Sequence, residues 1–92
     1  MERPVKTHDL KVNIENYEAL WERKKNSEYR INDRDYKAGD ILLLRPYVTD
    51  KKVYLNSHSF ISARVTHVSY GGTFGIPKKY CVLSIQIIFM QP

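Results

Sequence analysis

The hydrophobic period of this chain is two along most of its length and turns helical once, and that pattern narrows the fold more than anything else in it. THDLKV, residues 7 to 12, alternates, with His8, Leu10 and Val12 on one face and Asp9 and Lys11 on the other. From Asn13 the spacing changes, and Ile14, Tyr17, Leu20 and Trp21 recur at helical intervals. Asn13 suits an N-cap. Glu15 and Glu18 lie near the start and Arg23, Lys24 and Lys25 crowd the end, as the helix dipole favours, which predicts one helix over about residues 13–25.

Beyond the helix the pattern is that of strands. If residues 28 to 32 are extended, Tyr29 and Ile31 point to the core and Glu28, Arg30 and Asn32 to the other side. Asp33 to Asp40 read as a turn centred on Lys37-Ala38-Gly39-Asp40, and ILLL at 41–44 as an apolar strand that Pro46 ends or confines to an edge. Residues 48 to 59 are polar, a long loop or an irregular hairpin. FISARVTHV at 60–68 is a strand with Ile61, Ala63 and Val65 in register, YGGTFGIPKK a glycine-rich connection, and YCVLSIQIIF a long β-branched closing strand. About five twisted strands with one early helix predict an α+β, mainly β chain that closes into a small barrel, since closure leaves few edges exposed.

At 92 residues the chain is expected to form a single domain, 1–92, with one modest core. No stretch approaches the roughly 20 apolar residues of a membrane span, and MERPVKTHD has no apolar segment resembling a signal peptide, so no membrane partner and a cytoplasmic location are expected. The single cysteine, Cys81, lies in an apolar run and reads as a buried hydrophobe. His8, His58 and His67 match no zinc spacing, so no metal or other cofactor is expected. Residues 1 to 50 carry ten acids and ten bases, while residues 51 to 92 carry five bases and no acid. The whole net charge of +5 thus lies in the C-terminal part, an asymmetry that suits a polyanion or plain solubility.

Several stretches resemble one known family. They are His8-Asp9-Leu10-Lys11, the spacing Lys25-x-x-Glu28-x-Arg30, the run Asn32-Asp33-Arg34-Asp35-Tyr36, and Gly39-Asp40 before an apolar strand. Together they resemble the ASCH domains of the PUA-like barrel superfamily, and within it a group of small phage and bacterial proteins, over about residues 7–87. The chain departs from that pattern at Arg23, where a glycine usually leaves the helix, and at Gly75-Ile76, where a Gly-Leu tip is usual. The resemblance implies a PUA-like barrel with a cleft lined by the polar face of the strand after the helix, binding RNA or modified bases. Some ASCH proteins are similar to amidohydrolases acting on acetylated cytidine, with a Lys, a Thr and a later-strand Glu. Lys25 fits the first position, Glu28 stands where the Thr would be, and no acid follows Asp50, so the resemblance leans away from catalysis.

The candidate ligand residues are Lys25, Glu28, Arg30, Asn32, Arg34 and Lys11. Lys25 and Arg30 offer donors to phosphate or a base edge, and Glu28 accepts from an exocyclic amine; the same charges also fit a solvated face. Asn32 and Asp33 suit turn formation, and Arg34 suits ligand contact. Lys11 differs in parity from His8, so it reaches the cleft only if the strand bends at Val12, and His8 reads as a core histidine. Tyr36, Tyr47, Tyr54, Tyr70, Phe74 and Tyr80 interleave with bases. Of these, Tyr36 and Tyr80 read as half-core, while Tyr70, Phe74, Lys78 and Lys79 around the glycine-rich loop read as nucleic-acid contacts at the periphery of the site. The expected function is binding of RNA or a nucleotide-like ligand. Two other classes stay open on sequence grounds, a small hydrolase of modified nucleosides and a phage-type inhibitor whose partner is a protein.

Overall fold

The computed structural model describes residues 3–92. Its elements are β1 (Thr7–Asn13), α1 (Ile14–Trp21), β2 (Ser27–Ile31), β3 (Ile41–Val48), β4 (Val53–Tyr54), β5 (Phe60–Tyr70) and β6 (Tyr80–Gln91). They build one sheet in the order β1-β3-β5-β6-β2, with the two-residue β4 added to β3. β1 runs parallel to β3, and the other pairs are antiparallel. The chain is mainly β with one helix, and the sheet curls into a half-barrel. Two register shifts between β5 and β6, at Ser62/Ala63 and Val65/His67, mark bulges in the two longest strands, where a bulge bends a strand and raises its twist.

Curling brings β1 and β2, the two ends of the sheet, toward each other, but no ladder joins them among the described residues. The barrel is left with a seam. Inside it, Leu10, Val12, Leu42, Leu44, Ile61, Ala63, Val65, Cys81 and Leu83 pack with Tyr17 and Leu20 of α1, which lies against β1 and β3. Cys81 is a buried free thiol, pushed up in pKa by burial. His8 is buried beside Leu10 and Val12, as expected of its parity, and bonds Asp40.

The helix starts where the sequence indicates, with the Asn13 side chain accepting from the Asn16 amide at 2.8 Å, but it ends at Trp21 rather than near residue 25. The Arg23 amide donates to the Leu20 carbonyl and the Lys24 amide to that of Ala19, with Arg23 at φ 59°. This is a Schellman stop with arginine in the left-handed position that glycine normally takes. The three basic residues therefore follow the helix instead of forming its last turn.

Two further expectations are corrected. β3 runs through Pro46 to Val48, because its ladder with β5 already stops at Leu44 and the proline withdraws no amide from it. The 48–59 segment takes the hairpin form of the two left open by its sequence, with β4 against Tyr47 and Val48 and the Asn56 side chain accepting from the amides of His58 and Ser59. With the two-residue β4 the strands number six, in keeping with the about five expected. The largest correction concerns β2. Tyr29 and Ile31 face solvent, 53% and 52% exposed, while Glu28 is 4% exposed. The ladder explains the inversion. Glu28 pairs with Leu83 and Arg30 with Cys81, so the polar residues share the inward face of β6, and Tyr29 and Ile31 share the outward face with Val82 and Tyr80.

Candidate ligand-binding cleft at the barrel seam

The seam between β1 and β2 is a cleft of about 460 Å³, lined on one side by Leu10 to Asn13 and on the other by Glu28 to Ile31, with Lys25, Asp33, Arg34, Tyr36 and Tyr80 completing it. It exists because an edge strand leaves main-chain groups unpaired, and here arginines meet them. Arg30 Nη2 donates to the Lys11 carbonyl at 2.7 Å, and Arg34 Nη1 to that of Asp9 at 3.3 Å. Side chains thus bridge the gap that main-chain bonds would close in a full barrel.

Glu28 is the pivot of the site. Its Oε2 accepts from Arg30 Nε at 3.1 Å, and its Oε1 lies 3.6 Å from Lys25 Nζ. That second separation is an ion pair too long for a hydrogen bond, and Oε1 is buried with no hydrogen-bond partner. A buried acceptor left unmet costs about 1–3 kcal/mol, more when it is charged. The two cations beside it are about a quarter exposed or less, so the cleft presents one free acceptor flanked by donors that open to solvent.

Asn13 and Asn16, at the first turn of α1, also line the cleft, so the positive end of the helix dipole faces it. Tyr36 forms an inner wall at full burial, which raises its pKa. Tyr70 Oη donates to the Tyr36 carbonyl at 3.3 Å and ties the β5–β6 hairpin to that wall.

The sequence-derived residues divide as follows. Lys25, Glu28, Arg30 and Arg34 come together in the cleft. Lys11 lines it through its carbonyl, while its ammonium sits on the outer face over the Tyr47 ring, 4.7 Å from the centroid, because β1 does not bend at Val12. Asn32 lies outside the lining. Its amide donates to the Lys79 carbonyl at 2.8 Å, which places it at the end of the β2–β6 ladder. Tyr70, Phe74, Lys78 and Lys79 belong to the hairpin beyond the cleft, with Phe74 at its tip, 95% exposed and at φ 50°. Asn13, Asn16 and the rim residues Tyr29 and Tyr80 were not singled out from the sequence as ligand residues. The Asn-x-x-Asn spacing at a helix start next to a strand was a signal for the first two; for Tyr29 the alternation pointed the wrong way.

Among the described residues, no three His, Cys, Asp or Glu side chains gather as metal donors. No helix is long and apolar enough to cross a membrane.

The chain is similar to the "Uncharacterized 12.9 kDa protein in GpA 3'region" of Escherichia phage P2, with 34% identity over 68 residues, 70% of this chain. The match spans 55% of that relative's length. A family model matches residues 7–85, which takes in β1 through the middle of β6 and every residue of the cleft. The chain therefore belongs to the family described as a domain of unknown function, DUF3850.

Proposed function

We propose that this chain is a binding module of the ASCH or PUA-like kind that takes RNA, or a nucleotide-like ligand, in the seam cleft. One observation carries the reading: the buried, unpartnered Glu28 Oε1 between Lys25 and Arg30. An acceptor-only oxygen suits the exocyclic amine of a base, and the flanking ammonium and guanidinium suit ring acceptors or a phosphate. The volume lies in the range of small-molecule sites. The acid-free stretch from residue 51 onward supplies the positive field that steers a polyanion.

The test is binding of labelled single-stranded RNA across a salt series, with wild type beside Arg30→Ala and Glu28→Gln. Log affinity falls linearly with log salt, and each variant weakens binding by about 1.5–3 kcal/mol, the usual worth of a hydrogen bond to a charged group. Equal binding by all three proteins overturns the reading.

A further inference from the structure

The Tyr29 and Tyr80 rings lie 4.9 Å apart, centroid to centroid, with their planes 2° from parallel. They sit on the outward face of the β2–β6 ladder, at the rim of the cleft, which both residues line. Tyr80 covers one face of Tyr29, and because β2 pairs with β6 alone, no strand covers the other; Tyr29 stays 53% exposed. A ring held flat by a neighbour and bare on its far side is prepared for a third planar group.

Charge says what that group belongs to. Tyr80 is preceded by Lys78 and Lys79, neither of which is paired with an acid among the described residues. The Lys79 carbonyl is tied to the Asn32 amide, so the two lysines leave the sheet beside β2 and the cleft mouth. Acids at this mouth are already engaged: Asp33 with Arg34, and Asp35 with Arg3 and Lys37.

We infer that the stacked Tyr29–Tyr80 pair is a second subsite, on which a base adjoining the one in the cleft stacks while its phosphates run past Lys78 and Lys79. The ligand is then single-stranded RNA, since a duplex hides the base faces and a free nucleoside has no second base. The inference rests on the reading of the cleft given above.

Calorimetry with single-stranded RNA hexamers of mixed sequence, the same sequence as a duplex, and the four nucleoside monophosphates tests it. The hexamer binds more tightly than the duplex or any monophosphate. Tyr29→Ala weakens the hexamer by about 5- to 150-fold, the measured range for one stacked base, while Tyr29→Phe, which keeps the ring, keeps hexamer binding. If hexamer and monophosphate bind alike and Tyr29→Ala changes neither while Glu28→Gln weakens both, the subsite falls and the cleft stands. If the hexamer needs Tyr29 but is indifferent to Glu28→Gln, the subsite stands and the cleft reading falls. Binding of neither probe overturns both.

Discussion

Glu28 stands directly opposite Leu83 in the β2–β6 ladder, so a carboxylate and a fully buried leucine share one inward face. Desolvating the charge is costly, and only one of its oxygens is hydrogen-bonded. Residues that break a local rule in this way tend to belong to functional sites. Glu28→Gln keeps the shape and removes the charge. Because Lys25 and Arg30 keep access to water, the unfolding free energy shifts by less than about 1 kcal/mol in urea, while RNA binding weakens by about 1.5–3 kcal/mol. Collapse of the fold together with binding would make Glu28 a structural residue instead.

The Schellman stop at Arg23 yields a second prediction. A non-glycine residue at φ 59° is strained, and its guanidinium gains only a long contact, 3.7 Å, to Met90 Sδ. Relief of the left-handed backbone outweighs the added entropy of the unfolded chain, so Arg23→Gly raises stability by about 0.5–1 kcal/mol. Arg23→Ala, which keeps the strain, gives no such gain. Urea midpoints of the three proteins decide it, and a gain shared by both variants would place the effect in the arginine side chain.

Much of this fold is legible in residue order. The N-cap at Asn13, the turn with Gly39 at φ 96° and the Asp40 amide bonded to the Lys37 carbonyl, and the buried Ile61, Ala63 and Val65 all follow from local chemistry. What was not legible depends on the far end of the sheet. SEYRI alone says that Tyr29 and Ile31 are apolar; only pairing with Cys81 and Leu83 tells which face is inward. The same holds for Lys11, whose ammonium is claimed by Tyr47 and Tyr54 across the hairpin. Lys25, Glu28, Arg30 and Arg34 were nonetheless identified together through the resemblance to ASCH domains, since on spacing alone the same charges fit a solvated face equally well.

The glycine-rich hairpin holds a third test. A Cβ on Gly71 would run into the Pro77 carbonyl oxygen and meet those of Lys78 and Tyr80 at 2.7 Å. All three are main chain, so Gly71→Ala forces the return strand away and costs about 1–3 kcal/mol. Tyr80 moves with it, so RNA affinity falls as well. Gly72, at φ 91° with open space around it, costs only the backbone strain of about 1 kcal/mol on the same change and leaves binding intact. Equal losses at the two positions would show that the close approach at Gly71 is not tight in solution.

The last prediction concerns acid. Asp40 is 1% exposed, and its carboxylate accepts from Arg3 Nη1 at 2.7 Å, Arg3 Nη2 at 3.0 Å, His8 Nε2 at 2.8 Å and the amides of Lys6 and Lys37. An ionised carboxylate only accepts, so His8 Nε2 carries the proton in that bond. Burial by itself works to raise the Asp40 pKa, but the bonds from Arg3, His8 and the two amides outweigh it and hold the carboxyl well below the usual range. An unfolded aspartate titrates near about 3.9, so above that value both states are ionised and the stabilisation is fully present. As pH falls below about 4 the unfolded chain takes up a proton that the native state still refuses, and stability drains away until the native carboxyl is protonated too. Asp40→Asn removes this contribution, leaving wild type ahead by about 3 kcal/mol at neutral pH, the scale of breaking a buried pair. Urea unfolding of both proteins from about pH 7 down to about pH 2 then shows the gap narrowing only below about pH 4. A gap constant across that range would mean that Asp40 acts through packing rather than through its charge.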